Sequence, residues 1–216
     1  MTPSQIPAGS FTGEPAAVGA TAAPELTAER RALPAPRSDG GVPLIRALGL
    51  RHSTREYSDR QVPTQMLSDL LWAAFGINRS SGERTAPYWR HVMVIDLYVA
   101  MADGVWLYEP EEHALRPHLK DDLRAATGLQ DFVATAPIEL VYVAHGERMV
   151  YITPEERRLY ASVDAAFIGQ NVYLFCASEG LGTVFRGAVD QAALGRVLEL
   201  PASQFVTFAQ TVGYAR

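Results

Sequence analysis

Two hydrophobic periods alternate along this chain, and together they predict interleaved helices and strands. Residues 1–41 carry neither period. They are rich in Ala, Pro, Gly, Ser and Thr, offer little apolar surface to offset ordering entropy, and read as a disordered or loosely attached arm. The folded domain is expected over 42–216. Pro43 at a first helical position, followed by Leu44, Ile45, Ala47 and Leu48, predicts a short amphipathic helix. Residues 51–59 then run extended. Thr64 is expected to cap a second helix with Met66, Leu67, Leu70, Leu71 and Ala74 on one face and Gly76 at its end. After a polar loop over 78–87, residues 92–100 and 105–108 read as strands joined at the turn Asp103–Gly104. Residues 118–127 read as a helix ended by Gly128. The apolar run 138–144 reads as a buried strand. Residues 164–178 are apolar on nearly all sides, which predicts a central helix ended by Gly180 and Gly182. A short strand over 183–185, a helix over 190–198 closed by Pro201, and a last strand over 205–212 complete the pattern. The hairpin makes part of the sheet antiparallel, so the class is α+β: a mixed, largely antiparallel sheet packed between helices.

Composition narrows the function classes. The chain has 216 residues, 48% of them hydrophobic, with a net charge of −5. One domain of ordinary size is expected. A mild acidic excess disfavours sequence-independent nucleic-acid binding, and there is no polybasic stripe for a membrane surface. No apolar stretch approaches the ~20 residues of a membrane span. No basic segment precedes an apolar run at the N-terminus, so a cytoplasmic location is expected, with export as the alternative. Cys176 is the lone cysteine, which leaves no intrachain disulfide and no partners for a thiolate metal site.

Several catalytic signatures are missing: no GK[ST] phosphate loop, no HExxH and no GxSxG. Gly180 and Gly182 fit a helix terminus better than a dinucleotide fingerprint. His113 and His118 lie in a polar stretch with no third ligand spaced for a metal. Cys176, inside the apolar helix, reads as a packed small hydrophobe. The informative segment is Arg51-His52-Ser53-Thr54-Arg55-Glu56-Tyr57. Two guanidinium groups, an imidazole and two hydroxyls within five residues suit a phosphate, through forked, charge-assisted hydrogen bonds. A solvated basic turn paired with Glu56 and Asp59 would have the same composition.

With that segment the sequence resembles the nitroreductase-like FMN proteins, whose Arg-x-Ser-x-Arg/Lys stretch matches residues 51–55. The likeness continues through 70–79 (LLWAAFGINR), 84–87 (RTAP), 169–181 (GQNVYLFCASEGL), 184–187 (VFRG) and 210–214 (QTVGY), covering about residues 35–216. It is closest to the subgroup containing oxidases and dehydrogenases of peptide heterocycles. The resemblance implies an intimate homodimer with two FMN sites at its interface. Arg51, His52, Ser53 and Arg55 would hold the FMN phosphate and ribityl chain. Gly187 would offer its backbone N–H near flavin N5, with Arg186 beside it, and Arg216 would add charge to the phosphate. No side chain is expected as a dedicated acid or base, because the flavin carries the chemistry. Electrons would pass from NADH or NADPH through N5 to a small oxidised acceptor, a nitro compound or quinone, with ping-pong kinetics.

One stretch departs from the family pattern. After Ala86-Pro87, where the family has Ser, a small residue, any residue and Asn, this chain has Tyr88-Trp89-Arg90-His91. His91 keeps a donor for a flavin carbonyl, and Tyr88 and Trp89 would stack on the ring or fill substrate space. Two other outcomes stay open on the sequence. One is a flavin oxidase or dehydrogenase of an organic or peptide-heterocycle substrate. The other is a non-catalytic relative whose bulky loop excludes the flavin.

Overall fold

The structure, a computed structural model, describes residues 29–216. The elements are β1 (Arg31–Ala32), α1 (Leu44–Leu50), α2 (Thr64–Phe75), β2 (Ile95–Met101), β3 (Gly104–Glu109), β4 (Ala114–Leu119), β5 (Ile138–His145), α3 (Pro154–Glu179), β6 (Gly182–Arg186), α4 (Gln191–Val197) and β7 (Gln204–Gly213). Seven strands form one sheet in the order β1-β4-β3-β2-β5-β7-β6, and every pairing is antiparallel. The α+β class expected from the sequence is what is observed.

Strand β5 sits mid-sheet and shows why its run is apolar at consecutive positions. Side chains alternate across a strand. Leu140, Tyr142 and Ala144 enter the core shared with Leu70 and Leu71 of α2 and Ile168 and Val172 of α3. Val141 and Val143 enter a second core with Leu194 of α4 and Leu198. Both faces of the strand are covered, so both sets must be apolar. Among the described residues, no helix is long and apolar enough to cross a membrane.

Several expectations need correction. The helix read over 118–127 is absent. Residues 114–119 are instead strand β4, paired with β3, and only residues 124–127 make a single 3-10 turn. Pairing with β3 claims the start of the expected helix, with Leu119 opposite Val105, and Pro117, which has no N–H to donate, is tolerated beyond the two residues covered by β1. Second, the central helix begins ten residues before the predicted start (154 against 164), at Pro154. Its start signals were local: Thr153 accepts the Glu156 N–H, Glu156 returns a bond to the Thr153 N–H, and Pro154 occupies the first turn. The Thr64 hydroxyl likewise caps nothing, since Pro63 holds the cap position of α2. Third, the described part of the N-terminal arm is tied down. Arg31 and Ala32 pair with Leu115 and Ala114, and Leu33 is buried. The Ser68 hydroxyl donates to the Pro34 carbonyl. Arg37 donates its backbone N–H and its Nε to the two carboxylate oxygens of Asp69 at 2.8 and 2.6 Å. A single buried leucine and one carboxylate on α2 anchor a stretch whose composition looks unstructured; residues 1–28, the rest of that expected arm, lie outside the described residues.

Candidate functional site

The segment 51–55 leaves the end of α1 as extended chain and is locked against β6. The Thr54 N–H donates to the Thr183 carbonyl at 2.9 Å. The Thr54 side chain lies against Gly182, where a Cβ would meet it at 2.8–3.1 Å, so that contact needs glycine. Alternate residues of extended chain face opposite ways. With Thr54 turned inward, Ser53 and Arg55 are exposed and Arg51 half-buried. On the other side the C-terminus runs alongside: Tyr57 bridges Ala215, and the Arg216 N–H donates to the Glu56 carbonyl. Arg51, Ser53, Arg55 and Arg216 therefore share one neighbourhood.

The charge state of that neighbourhood is informative. Neither Arg51 nor Arg55 forms an ion pair among the described residues, although Glu56 and Asp59 are close in sequence. A merely solvated turn would be expected to neutralise itself. Arg51 instead lies over the ring of Tyr173 from α3, 5.2 Å from its centroid. The Tyr173 hydroxyl is 2.8 Å from Ser53 Oγ and accepts the Phe185 N–H at 2.9 Å. His52 is exposed, and its Nδ1 sits 2.8 Å from the Leu50 carbonyl. Beyond β6, the backbone of Gly187 is exposed. A phosphate group fits this arrangement: guanidinium groups without ion pairs among the described residues, a hydroxyl held in place and an adjacent C-terminal arginine.

Arg186 is turned the other way. Its guanidinium is buried and bonded to Glu139, to Thr211 Oγ1 and to the Thr127 carbonyl. Those contacts make it a core cation of the sheet and keep it off any ligand beside Gly187. Burial pushes the Glu139 carboxyl up to about 7, against the opposing pull of Arg186 and of the Thr211 hydroxyl.

Nor does the chain bring Tyr88, Trp89 and His91 to this place. The Trp89 N–H donates to Asp164 of α3 at 3.0 Å, and its ring packs on Tyr160. Tyr88 packs edge-on against Phe75 and His91. Asp164 and Tyr173 are nine residues apart on one helix (173 − 164), about two and a half turns and ~14 Å of rise. The aromatic loop and the arginine segment therefore lie on opposite sides of α3. Arg90 and His91 both adopt positive φ, 46° and 58°, a left-handed conformation that costs roughly 1–2 kcal/mol per non-glycine residue. The Asp164 bond helps hold that strained loop.

Burial also lifts Asp164, to about 6, with the Trp89 N–H pulling the opposite way. A carboxyl whose folded value exceeds its unfolded one stabilises fully below the unfolded value of about 3.9. That contribution is lost as pH rises through about 6. Asp164→Asn keeps an acceptor for Trp89 and removes the titration. The difference in Tm between variant and parent is expected to move in the variant's favour by a few degrees from pH 4 to pH 7. A pH-independent difference would show that Asp164 does not titrate in this range.

Two residues of consequence, Asp164 and Tyr173, escaped the sequence reading because each sits in a helix read as apolar packing. His113 lies between the Ser68 and Tyr108 hydroxyls, and His118 between Tyr98 and the Leu198 carbonyl. Both are structural. Cys176 is fully buried, and burial pushes its thiol well up.

Comparison with known proteins agrees with the fold and the motifs. A crystal structure from Ralstonia eutropha described as a nitroreductase superposes with a TM-score of 0.83 at 42% identity, over 87% of this chain and 90% of that one. A Methanocaldococcus jannaschii protein assigned to the nitroreductases is 32% identical over 160 residues, 69% of this chain and 81% of its own. The NADPH:FMN oxidoreductase of Vibrio harveyi, solved with NAD+, shares the fold at 20% identity, with a TM-score of 0.58 over 80% of this chain and 68% of that one. The model of the nitroreductase family matches residues 49–214, from the end of α1 to the end of β7, and this chain belongs to that family of oxidoreductases.

Proposed function

We propose that the protein binds FMN and moves electrons from NADH or NADPH to a small oxidised acceptor of the nitro or quinone class. The observation that carries this reading is the arginine segment, without an ion pair among the described residues, fixed between β6 and the C-terminus. Arg51, Arg55 and Arg216 would balance the phosphate charge, with His52 and Ser53 along the phosphate and ribityl chain. The exposed Gly187 N–H, just past β6, would meet the ring edge at N5. Bound there, FMN supplies the two-electron chemistry that lets donor and acceptor use one site in turn. The chain's own part is to hold, orient and shield it; no side-chain acid or base is assigned.

A homodimer belongs to the same reading. The aromatic loop of one chain cannot reach its own arginine segment across α3, but a second copy can present its loop there. Leu159, Val163 and Phe167 form an exposed stripe at i, i+4, i+8 on α3, and Leu44, Ile45 and Leu48 of the neighbouring α1 are exposed too. An apolar face of this kind marks an interface. Paired that way, Tyr88, Trp89 and His91 of one copy would border the flavin of the other. The aromatic bulk would then favour flat, small acceptors.

The test is direct. Freshly purified protein is expected to be yellow, to release FMN on heating as identified by mass, and to oxidise NADH or NADPH when a quinone is present. Protein that is colourless and takes up no added FMN would overturn the reading, in favour of a non-catalytic relative.

A further inference from the structure

One hydroxyl joins the two ends of the candidate site. The Tyr173 oxygen accepts the Phe185 N–H at 2.9 Å and lies 2.8 Å from Ser53 Oγ. Phe185 belongs to β6, two residues before Gly187, and Ser53 belongs to the arginine segment. Each hydroxyl has a single proton, so the pair has two arrangements. In one, Ser53 donates to Tyr173 and shows only lone pairs outward. In the other, Tyr173 donates to Ser53, and the serine proton is free to point out of the fold. An anion at the exposed Ser53 is repelled by the first and bonded by the second. The Phe185 N–H favours the second as well, because an oxygen that accepts one hydrogen bond donates its own proton more strongly. The Arg51 guanidinium over the phenol ring adds positive charge that works in the same direction.

We propose that Tyr173 is a positioning residue for the phosphate. It fixes Ser53 as an outward hydrogen-bond donor through the relay Phe185 N–H, Tyr173 O–H, Ser53 O–H. This rests on the FMN reading and assigns a role to a side chain that does not itself reach the ligand. The relay also ties the phosphate grip to β6, and so to the strand that carries Gly187.

Binding of FMN and of riboflavin, which lacks the phosphate, separates this role from a structural one. Both ligands are titrated onto flavin-free wild type, Tyr173→Phe, Ser53→Ala and the double variant, by quenching of flavin fluorescence. Tyr173→Phe is expected to weaken FMN about five- to tenfold while leaving riboflavin unchanged. The double variant is expected to be no weaker than Ser53→Ala alone, because the two residues act as one donor. Equal losses for both flavins, additive losses, or wild-type FMN affinity in Tyr173→Phe would each overturn the proposal. Ser53→Ala tests it even if Tyr173→Phe does not fold: an unchanged preference for FMN over riboflavin in that variant is equally fatal. A wild type that shows no preference for FMN over riboflavin would remove the phosphate reading itself. A preference undiminished in Tyr173→Phe removes the relay alone.

Discussion

Replacing Arg51 and Arg55 together by alanine is expected to lower FMN affinity about 100-fold or more while the apoprotein melts as before. Neither guanidinium makes an ion pair among the described residues, and Arg51 contributes only its place over Tyr173 to the fold. Removing both costs the free chain little, since surface substitutions away from buried networks change stability by about 0.5 kcal/mol or less. A phosphate loses two charge-assisted partners, each worth about 1.5–3 kcal/mol before screening by salt. The lower end of that range gives roughly two decades in Kd. Flavin fluorescence titration beside a thermal melt of the apoprotein measures both halves. Wild-type affinity in the double variant would show that the phosphate sits elsewhere. A large fall in Tm would show that these arginines belong to the fold.

The opposite pattern is expected one strand away. Glu139→Ala should cost about 3–5 kcal/mol of stability, because it leaves the Arg186 guanidinium buried beneath the sheet without a counter-charge. Both side chains are almost fully buried, and the Thr211 hydroxyl donates to Glu139 as well as accepting from Arg186. The pair is expensive to break but of little net value to keep. Glu139→Leu combined with Arg186→Leu should therefore recover most of what the single change loses. Urea unfolding of wild type, Glu139→Ala and the double variant measures this. A loss below about 1 kcal/mol in Glu139→Ala would mean that water reaches Arg186.

The sequence carried the class of the fold and singled out the arginine segment because both rest on short-range pattern. The two periods of hydrophobicity placed α2, β5, α4 and β7, and Gly180 ends α3 in a left-handed cap, φ 74°. What it hid was set by distant neighbours. Residues 114–119 became a strand because β3 lies beside them. Residues 31–37 became ordered because Asp69 and the backbone of β4 receive them. Arg186 looked like a ligand group in the VFRG motif, yet its partner, Glu139, is 47 residues away. The Tyr88–His91 loop follows the same logic. Its likeness to a flavin-contacting stretch is local, whereas its position behind α3 depends on Asp164 and Tyr160.

The borders of the sheet bear on how copies of this chain can meet. An open sheet exposes unpaired N–H and C=O groups along its outer strands, which invite another chain to add a strand and aggregate. Here both margins are partly blocked among the described residues. At one, two residues of β1 cover Ala114 and Leu115, and Pro117 further along β4 offers no N–H. At the other, the outward carbonyl of Thr183 is taken by Thr54 and the outward N–H of Phe185 by Tyr173. With both margins partly blocked as templates, the exposed leucines of α1 and α3 can remain sticky without readily seeding a growing ribbon of strands.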